Sequence, residues 1–229
     1  LSFVGPAALA AIRFGNTLGS LLLEDVVIRD SVLTNRTVLQ DSTMPGMEAI
    51  FRNCQFRNVT CSAPNFGFLI SMATPSSILL ENTHISNCSN NVGNLVMLIS
   101  GQLPITVIGG IFEDGNVLST GGSGTLTMKD IVIGKMKPNN QLLSLPIGFI
   151  TEVIVNNVTV RDMVVTQPLF DFEVLKWNVS GLTLRNIRTA DTKSLLGGNS
   201  SAITSWQFSG VEVYDSVANS ICSFRTNLQ

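Results

Sequence analysis

Three carboxylates, Asp162, Asp191 and Asp215, recur 29 and 24 residues apart in the last third of the chain, with Arg161, Arg185 and Arg188 nearby in sequence. If each closes the same turn of a repeating fold, the three stand on neighbouring levels, and carboxylates gathered in that way bind a cation or raise one another's pKa. The fitting ion would be calcium, the one cofactor the sequence suggests, and only on this alternative. The same residue types serve as turn formers, because Asp and Asn bond to nearby backbone and tolerate left-handed geometry. The single histidine, His84, lies between Thr83 and Ile85 and is expected to point outward from a strand, with no cysteine or carboxylate motif beside it. Nucleophile elbows and paired metal-binding histidines are absent from the sequence.

The elements that must position these residues follow from a short repeated phrase: apolar, any, apolar, polar, then Asp, Asn or Gly. Its closing residues are Asp25, Asn53, Asn82, Gly109, Asp130, Asn157, Asn186 and Gly210, separated by 28, 29, 27, 21, 27, 29 and 24 residues. Side chains alternate faces along a strand, so positions two and four before each closing residue share a side. Those sixteen positions, from Leu21 and Leu23 through Trp206 and Phe208, are all apolar. The residue just before the corner is polar in seven of eight cases, as a wet face requires. A second alternating run follows, as in Val26 and Ile28 or Val158 and Val160. A third short apolar segment such as 68–71, 95–98, 116–119, 141–144, 168–171, 194–197 or 220–223 completes each period.

A period in the twenties with strand-like alternation is the mark of a coil-stacking solenoid. The expected fold is therefore all-β: a single-stranded right-handed parallel β-helix of about eight three-strand rungs, one domain over 1–229, with a short capping helix over Pro6–Ile12. The competing reading, an antiparallel sandwich, gives no reason for Asp, Asn or Gly at one corner so many times. The chain starts at Leu1 and stops at Gln229 a few residues into a further rung, so a mature part of a longer protein is expected, with an open end that pairs with another copy or chain.

With 45% hydrophobic and 13% charged residues and a net charge of −2, the chain can bury a large core and is no partner for nucleic acid or a polybasic membrane site. No apolar run is long enough to span a bilayer. Ser, Thr and Asn stand in for charge on the surface, which fits a secreted or cell-surface protein. Six Asn-X-Ser/Thr acceptors occur, at Asn35, Asn58, Asn87, Asn157, Asn178 and Asn199. Asn35, Asn178 and Asn199 are expected in projecting loops, and Asn58 and Asn87 at matching places of consecutive rungs. Asn157 is expected to serve first as a corner residue bonded to its equivalents above and below. Cys61 and Cys88, one coil apart, are expected to form a disulfide, and Cys54 to be a buried thiol packed as a small apolar residue. An outward stripe of Leu22, Ile50 and Leu79, continued by Thr106, Thr127, Ile154, Thr183 and Gln207, suggests a surface covered by another chain or by a loop.

The phrases Phe51-Arg52-Asn53-Cys54-Gln55-Phe56-Arg57-Asn58 and Glu81-Asn82-Thr83-His84-Ile85-Ser86-Asn87-Cys88 resemble the Asn-Cys-x-Phe-x-Asn rungs of surface adhesins and autotransported polymorphic membrane proteins. From about Ile12 to Phe224 the chain is similar to the pectin-lyase-like right-handed parallel β-helix superfamily. That resemblance implies the handedness of the coil and, through the superfamily's pectate lyases, a place where calcium held by aspartates would work with an arginine base. The Asn-Thr-Asp, Asp-Asp, Gly-His-Gly and Arg-Ile-Lys motifs of polygalacturonase-like members are missing. The expected function is a non-catalytic extracellular glycoprotein module, structural or adhesive, in a larger surface assembly or fibre. The alternative is a calcium-dependent polysaccharide lyase.

Overall fold

The structure, a computed structural model, describes residues 2–4, 12–13, 19–33, 39–40, 48–61, 70–72, 77–90, 97–98, 104–114, 124–135, 143–144, 150–165, 170–171, 176–189, 194–198, 205–218 and 220–224. Among the described residues every regular element is a strand and every strand ladder is parallel. Ala49 sits beside Ile78, Ile78 beside Ile105, Ile105 beside Leu126, and Leu126 beside Val153. Parallel neighbours normally need a helical crossover. Here the rest of each coil is the crossover, so equivalent residues stack level on level in a twelve-stranded sheet.

Among the described residues each level bends twice. The first bend falls at Asp25, Asn53, Asn82, Gly109, Asp130, Asn157, Gly181 and Gly210, with φ between 48° and 67°. The second falls five residues later at Asp30, Asn58, Asn87, Asp114, Lys135, Asp162, Asn186 and Asp215, with φ between 49° and 55°. Left-handed backbone costs an ordinary L-residue about 1–2 kcal/mol, and Gly, Asn and Asp bear it best. The bend reverses the alternation: Arg52 lies outside, Asn53 turns the chain, and Cys54 is buried at once. Lys135 is the one bend residue of an unsuited type. Lys135→Asn is therefore expected to raise the urea midpoint, by the equivalent of about 0.5–1 kcal/mol.

One corner differs from the sequence reading. Val155 pairs with Val179, Asn156 with Ser180 and Val158 with Leu182, which places Gly181, not Asn186, above Asn157. Asn186 stands five residues further on, at the second bend above Asp162. Leu182 and Leu184 remain inward and buried, but they belong to the arm between the bends, while Trp177 and Val179 fill the arm before the first.

The interior is one continuous apolar column. Ala49, Phe51, Ile78, Leu80, Val107, Leu126, Met128, Val153 and Val155 are buried in one wall, and Ile28, Phe56, Ile85, Phe112, Ile133, Val160 and Leu184 in the next. Phe51 and Phe56 meet edge to face across a bend, with ring centroids 6.3 Å apart. Of the sixteen inward positions, Leu21, Trp206 and Phe208 are not fully buried. All three lie on the arms Ser20–Glu24 and Ser205–Tyr214, for each of which the described residues show one paired strand.

The third face departs from the expectation of eight complete rungs. Its strands form two separate four-stranded stacks: Ile12–Arg13, Leu39–Gln40, Ile70–Met72 and Met97–Leu98 in one, and Leu143–Ser144, Phe170–Asp171, Ser194–Gly198 and Ser220–Phe224 in the other. Among the described residues, three-sided coils run for about four turns rather than eight. These strands are mostly two to five residues long and carry few ladder bonds, so the two longer arms fix the register. The expected segment 116–119 lies outside the described residues, as do 6–11 of the expected capping helix. Ile12, its last residue, is in a strand, and the strand Ser2–Val4 pairs beneath Val27–Leu33 at that end.

Candidate functional site

The bends line up as two ladders of polar side chains along the rod. At the first, Asn53 Nδ2 donates to Asp25 Oδ1 (3.2 Å), Asn82 Nδ2 to Asn53 Oδ1 (3.4 Å) and Asn157 Nδ2 to Asp130 Oδ1 (2.7 Å). At the second, Asn58 Nδ2 donates to Asp30 Oδ1 (2.8 Å), Asn87 Nδ2 to Asn58 Oδ1 (3.1 Å) and Asn186 Nδ2 to Asp162 Oδ1 (2.9 Å). An Asn above an Asp supplies the donor that a second Asp would lack. Asn157 has its predicted partner below, whereas above it stands Gly181, which has no side chain to offer.

The proposed carboxylate ladder is altered by the same shift. In the column of Asp162 and Asp215 the intervening level carries Asn186, an amide that already bonds Asp162. Asp191 lies outside the described residues. Of the arginines, Arg161 spans two levels to Glu113 (Nη2 to Oε1, 2.6 Å), passing over the level of Gly134. A Cβ on Gly134 would lie 3.1 Å from Arg161 Cγ and 3.2 Å from Arg161 O, so the glycine is what lets the guanidinium cross. Sequence reasoning missed this pair, though a glycine interrupting the outward positions of Ile131-Val132-Ile133-Gly134 was its signal. Arg185 and Arg188 are exposed, and Arg185 stacks on Arg161.

On the first arm the outward column runs Leu22, Ile50, Leu79, Thr106, Thr127, Ile154, Asn178, Gln207. Asn178 replaces the expected Thr183, which sits on the second arm between Thr159 and Glu212. Leu22 is 48% exposed, while Ile50 and Leu79 are half-buried. Beside the stripe, Arg52 bridges Glu24 (3.2 Å) and Glu81 (2.7 Å), the expected alternation of charge along the rod. Its hydrogen bonds to Glu81 and then Glu24 raise the guanidinium pKa further. Exposed pairs of this kind fix register more than they stabilise. His84, half-buried, faces outward between Gln55 and Ile111.

Of the acceptor asparagines, Asn178 is exposed within the strand Lys176–Thr189 and not in a loop, a consequence of the corner at Gly181. The amides of Asn58, Asn87 and Asn157 are donors in the ladders. Asn35 and Asn199 lie outside the described residues.

The expected Cys61–Cys88 disulfide is not formed, and Cys88 is a free, buried thiol. The ladder sets Cys61 beside Asn90 and Ser89 beside Thr60, so Cys88 falls two residues short of the position facing Cys61. A two-residue offset between paired strands separates Cα atoms by about 7–8 Å, beyond the usual disulfide span. Cys54 is buried as expected, its Sγ donating to Leu23 O (3.3 Å) and Arg52 O (3.4 Å). Burial pushes the Cys54 thiol pKa up, and that of Cys88 to about 12. A folded thiol whose pKa lies above its unfolded value of about 8.5 adds stability that is complete below that pH and is lost as pH rises toward the folded value. Native protein at pH 8 is therefore expected to leave Cys54 and Cys88 unlabelled by iodoacetamide, with both labelled in urea, as peptide mapping by mass spectrometry would show.

No protein family, no curated protein and no solved structure matches this chain.

Proposed function

We propose that this chain is a non-catalytic extracellular glycoprotein module with a structural or adhesive role in a larger surface assembly, and that its coil is of the right-handed pectin-lyase-like kind. The observation that carries this reading is the pair of bend ladders: Asp30, Asp130 and Asp162 each accept a bond from an asparagine one level on. Of the groups that a cation-dependent lyase would recruit, Asp162 is thus committed to holding the coil and Arg161 to Glu113. The low charge supports a secreted setting, and Asn178 offers an exposed acceptor on a rigid wall. The Leu22, Ile50 and Leu79 stripe and the rod ends are the surfaces for other chains of the assembly.

Production in a secretory eukaryotic host followed by glycopeptide mass spectrometry tests the reading. Secreted protein carrying glycan at Asn178, with Asn157 least occupied, is the expected result. Retained or wholly unmodified protein would sink the glycoprotein reading. Incubation with uronate polymers and calcium tests the rival, and a rise in absorbance from unsaturated products would replace the proposal with lyase activity.

A further inference from the structure

One outward column of the second arm breaks a rule that the rest of the rod keeps. Where the ladders set two charged side chains at matching positions, the signs are opposite at Glu24 and Arg52, at Arg52 and Glu81, and at Glu152 and Lys176. Arginine lies beside arginine in two places, Arg161 with Arg185 and Arg29 with Arg57. The first of these has a counter-charge in Glu113, 2.6 Å from Arg161. The second has none: among the described residues Arg29 and Arg57 make no ion pair, their guanidinium groups make no hydrogen bond, and both are exposed. Like charges set side by side on a sheet are destabilising, so the pair costs the coil stability and returns no bond within it.

The surroundings of the pair are hydrogen-bond donors. Ser86 stands beside Arg57 on the next level, and the neighbouring outward column carries Gln55 and His84, all three half-buried. Hydroxyl, amide and imidazole each have an O–H or N–H to offer. The carboxylates that border this group are already engaged. Asp30 accepts the Asn58 amide on Oδ1 (2.8 Å), and Glu113, one level beyond Ser86, holds Arg161. Paired strands keep matching positions about 4.8 Å apart, a separation at which two guanidinium forks can share one tetrahedral group with several charged oxygens. A carboxylate would bring one negative charge to two cations, whereas a sulfate or phosphate brings an oxygen for each fork and up to twice the charge. We propose that Arg29 and Arg57 form a binding site for a tetrahedral oxoanion, a sulfate or phosphate group, flanked by Gln55 and Ser86. The site goes beyond the assembly reading above and rests on the register of the second arm alone.

Titration of the isotope-labelled chain with inorganic sulfate, and separately with inorganic phosphate, at low ionic strength tests the site through the arginine Nε–H resonances. Those of Arg29 and Arg57 should shift together and saturate. Arg57→Gln should weaken binding about tenfold or more, while Arg188→Gln, at an exposed arginine between Val164 and Val217, should leave it unchanged. Because Arg57→Gln also relieves the like-charge contact, its urea midpoint in anion-free buffer should equal or exceed that of wild type. Columns of dextran sulfate and of plain dextran separate the sources of the group. Retention of wild type but not of Arg57→Gln on the sulfated polymer assigns it to a glycan chain, and saturation by free ions without retention assigns it to a small oxoanion. No saturation with either ion, an equal loss in Arg57→Gln and Arg188→Gln, or a lower urea midpoint for Arg57→Gln in anion-free buffer would overturn the proposal. Every readout works on unglycosylated protein, so the anion site and the glycoprotein reading can fail separately.

Discussion

Gly110→Ala is expected to destabilise the chain by about 3–5 kcal/mol, a large part of the net stability of a typical domain. Gly110 follows the first bend at Gly109, with φ at 103°, a conformation that L side chains rarely adopt. A Cβ there would clash with the backbone carbonyl oxygen of Thr83 and lie 2.9 Å from its amide nitrogen, and neither atom can move without breaking the ladder between Ile105–Glu113 and Ser77–Ser86. Strain and overpacking therefore add. Gly181→Asn is the matched control: its φ of 64° suits Asn, and its Cβ would meet Asn157 at 3.3 Å, a tight contact short of a clash. It should stay within about 1 kcal/mol of wild type. Urea denaturation followed by circular dichroism separates the two, and equal midpoints would refute the account of the Gly109-Gly110 corner.

Phe51→Ala is expected to cost about 3–5 kcal/mol through the cavity it leaves. Phe51 is wholly buried, stacked between Leu23 below and Leu80 above, and edge-on to Phe56. In a stacked-coil protein each level touches its neighbours alone, so the loss should be uneven. Hydrogen exchange is expected to quicken first in Ser20–Glu24 and Ser77–Ser86, with the amides of Lys176–Thr189 affected least. Leu22→Ala, on the outward stripe one residue before Leu23, should change the midpoint little. Uniform acceleration along the whole rod would show that the levels do not act as nearest neighbours.

The inward columns and most bends were legible in the sequence because burial on one side enforces a two-residue period and left-handed backbone restricts the residue type. The misplaced corner has an equally physical cause. Both arms of a level end in the same phrase, so Leu182-Thr183-Leu184-Arg185-Asn186 before the second bend looks like Trp177-Asn178-Val179-Ser180-Gly181 before the first. Alternation cannot tell one arm from the next, and a glycine corner gives a fainter signal than an asparagine. From that shift follow Asn186 in the place expected of Asp191, the loop assigned to Asn178 and the wrong member of the outward column. The disulfide failed for a related reason: equal coil length put Cys61 and Cys88 on adjacent levels, but a bridge also requires facing positions, which spacing alone does not supply.

The two bends of a level are always five residues apart, yet the stretch to the following level varies, from 16 residues between Asp114 and Asp130 to 24 between Asn58 and Asn82. One residue added between the bends would turn a lipophilic column toward water, whereas the same addition between the strands that follow the second bend leaves the stacked pairs of both longer arms in place. Inheritance by gain and loss of residues is thereby channelled to a single flank of the rod. New recognition loops can accumulate there, and be discarded there, while the other two walls are copied unchanged.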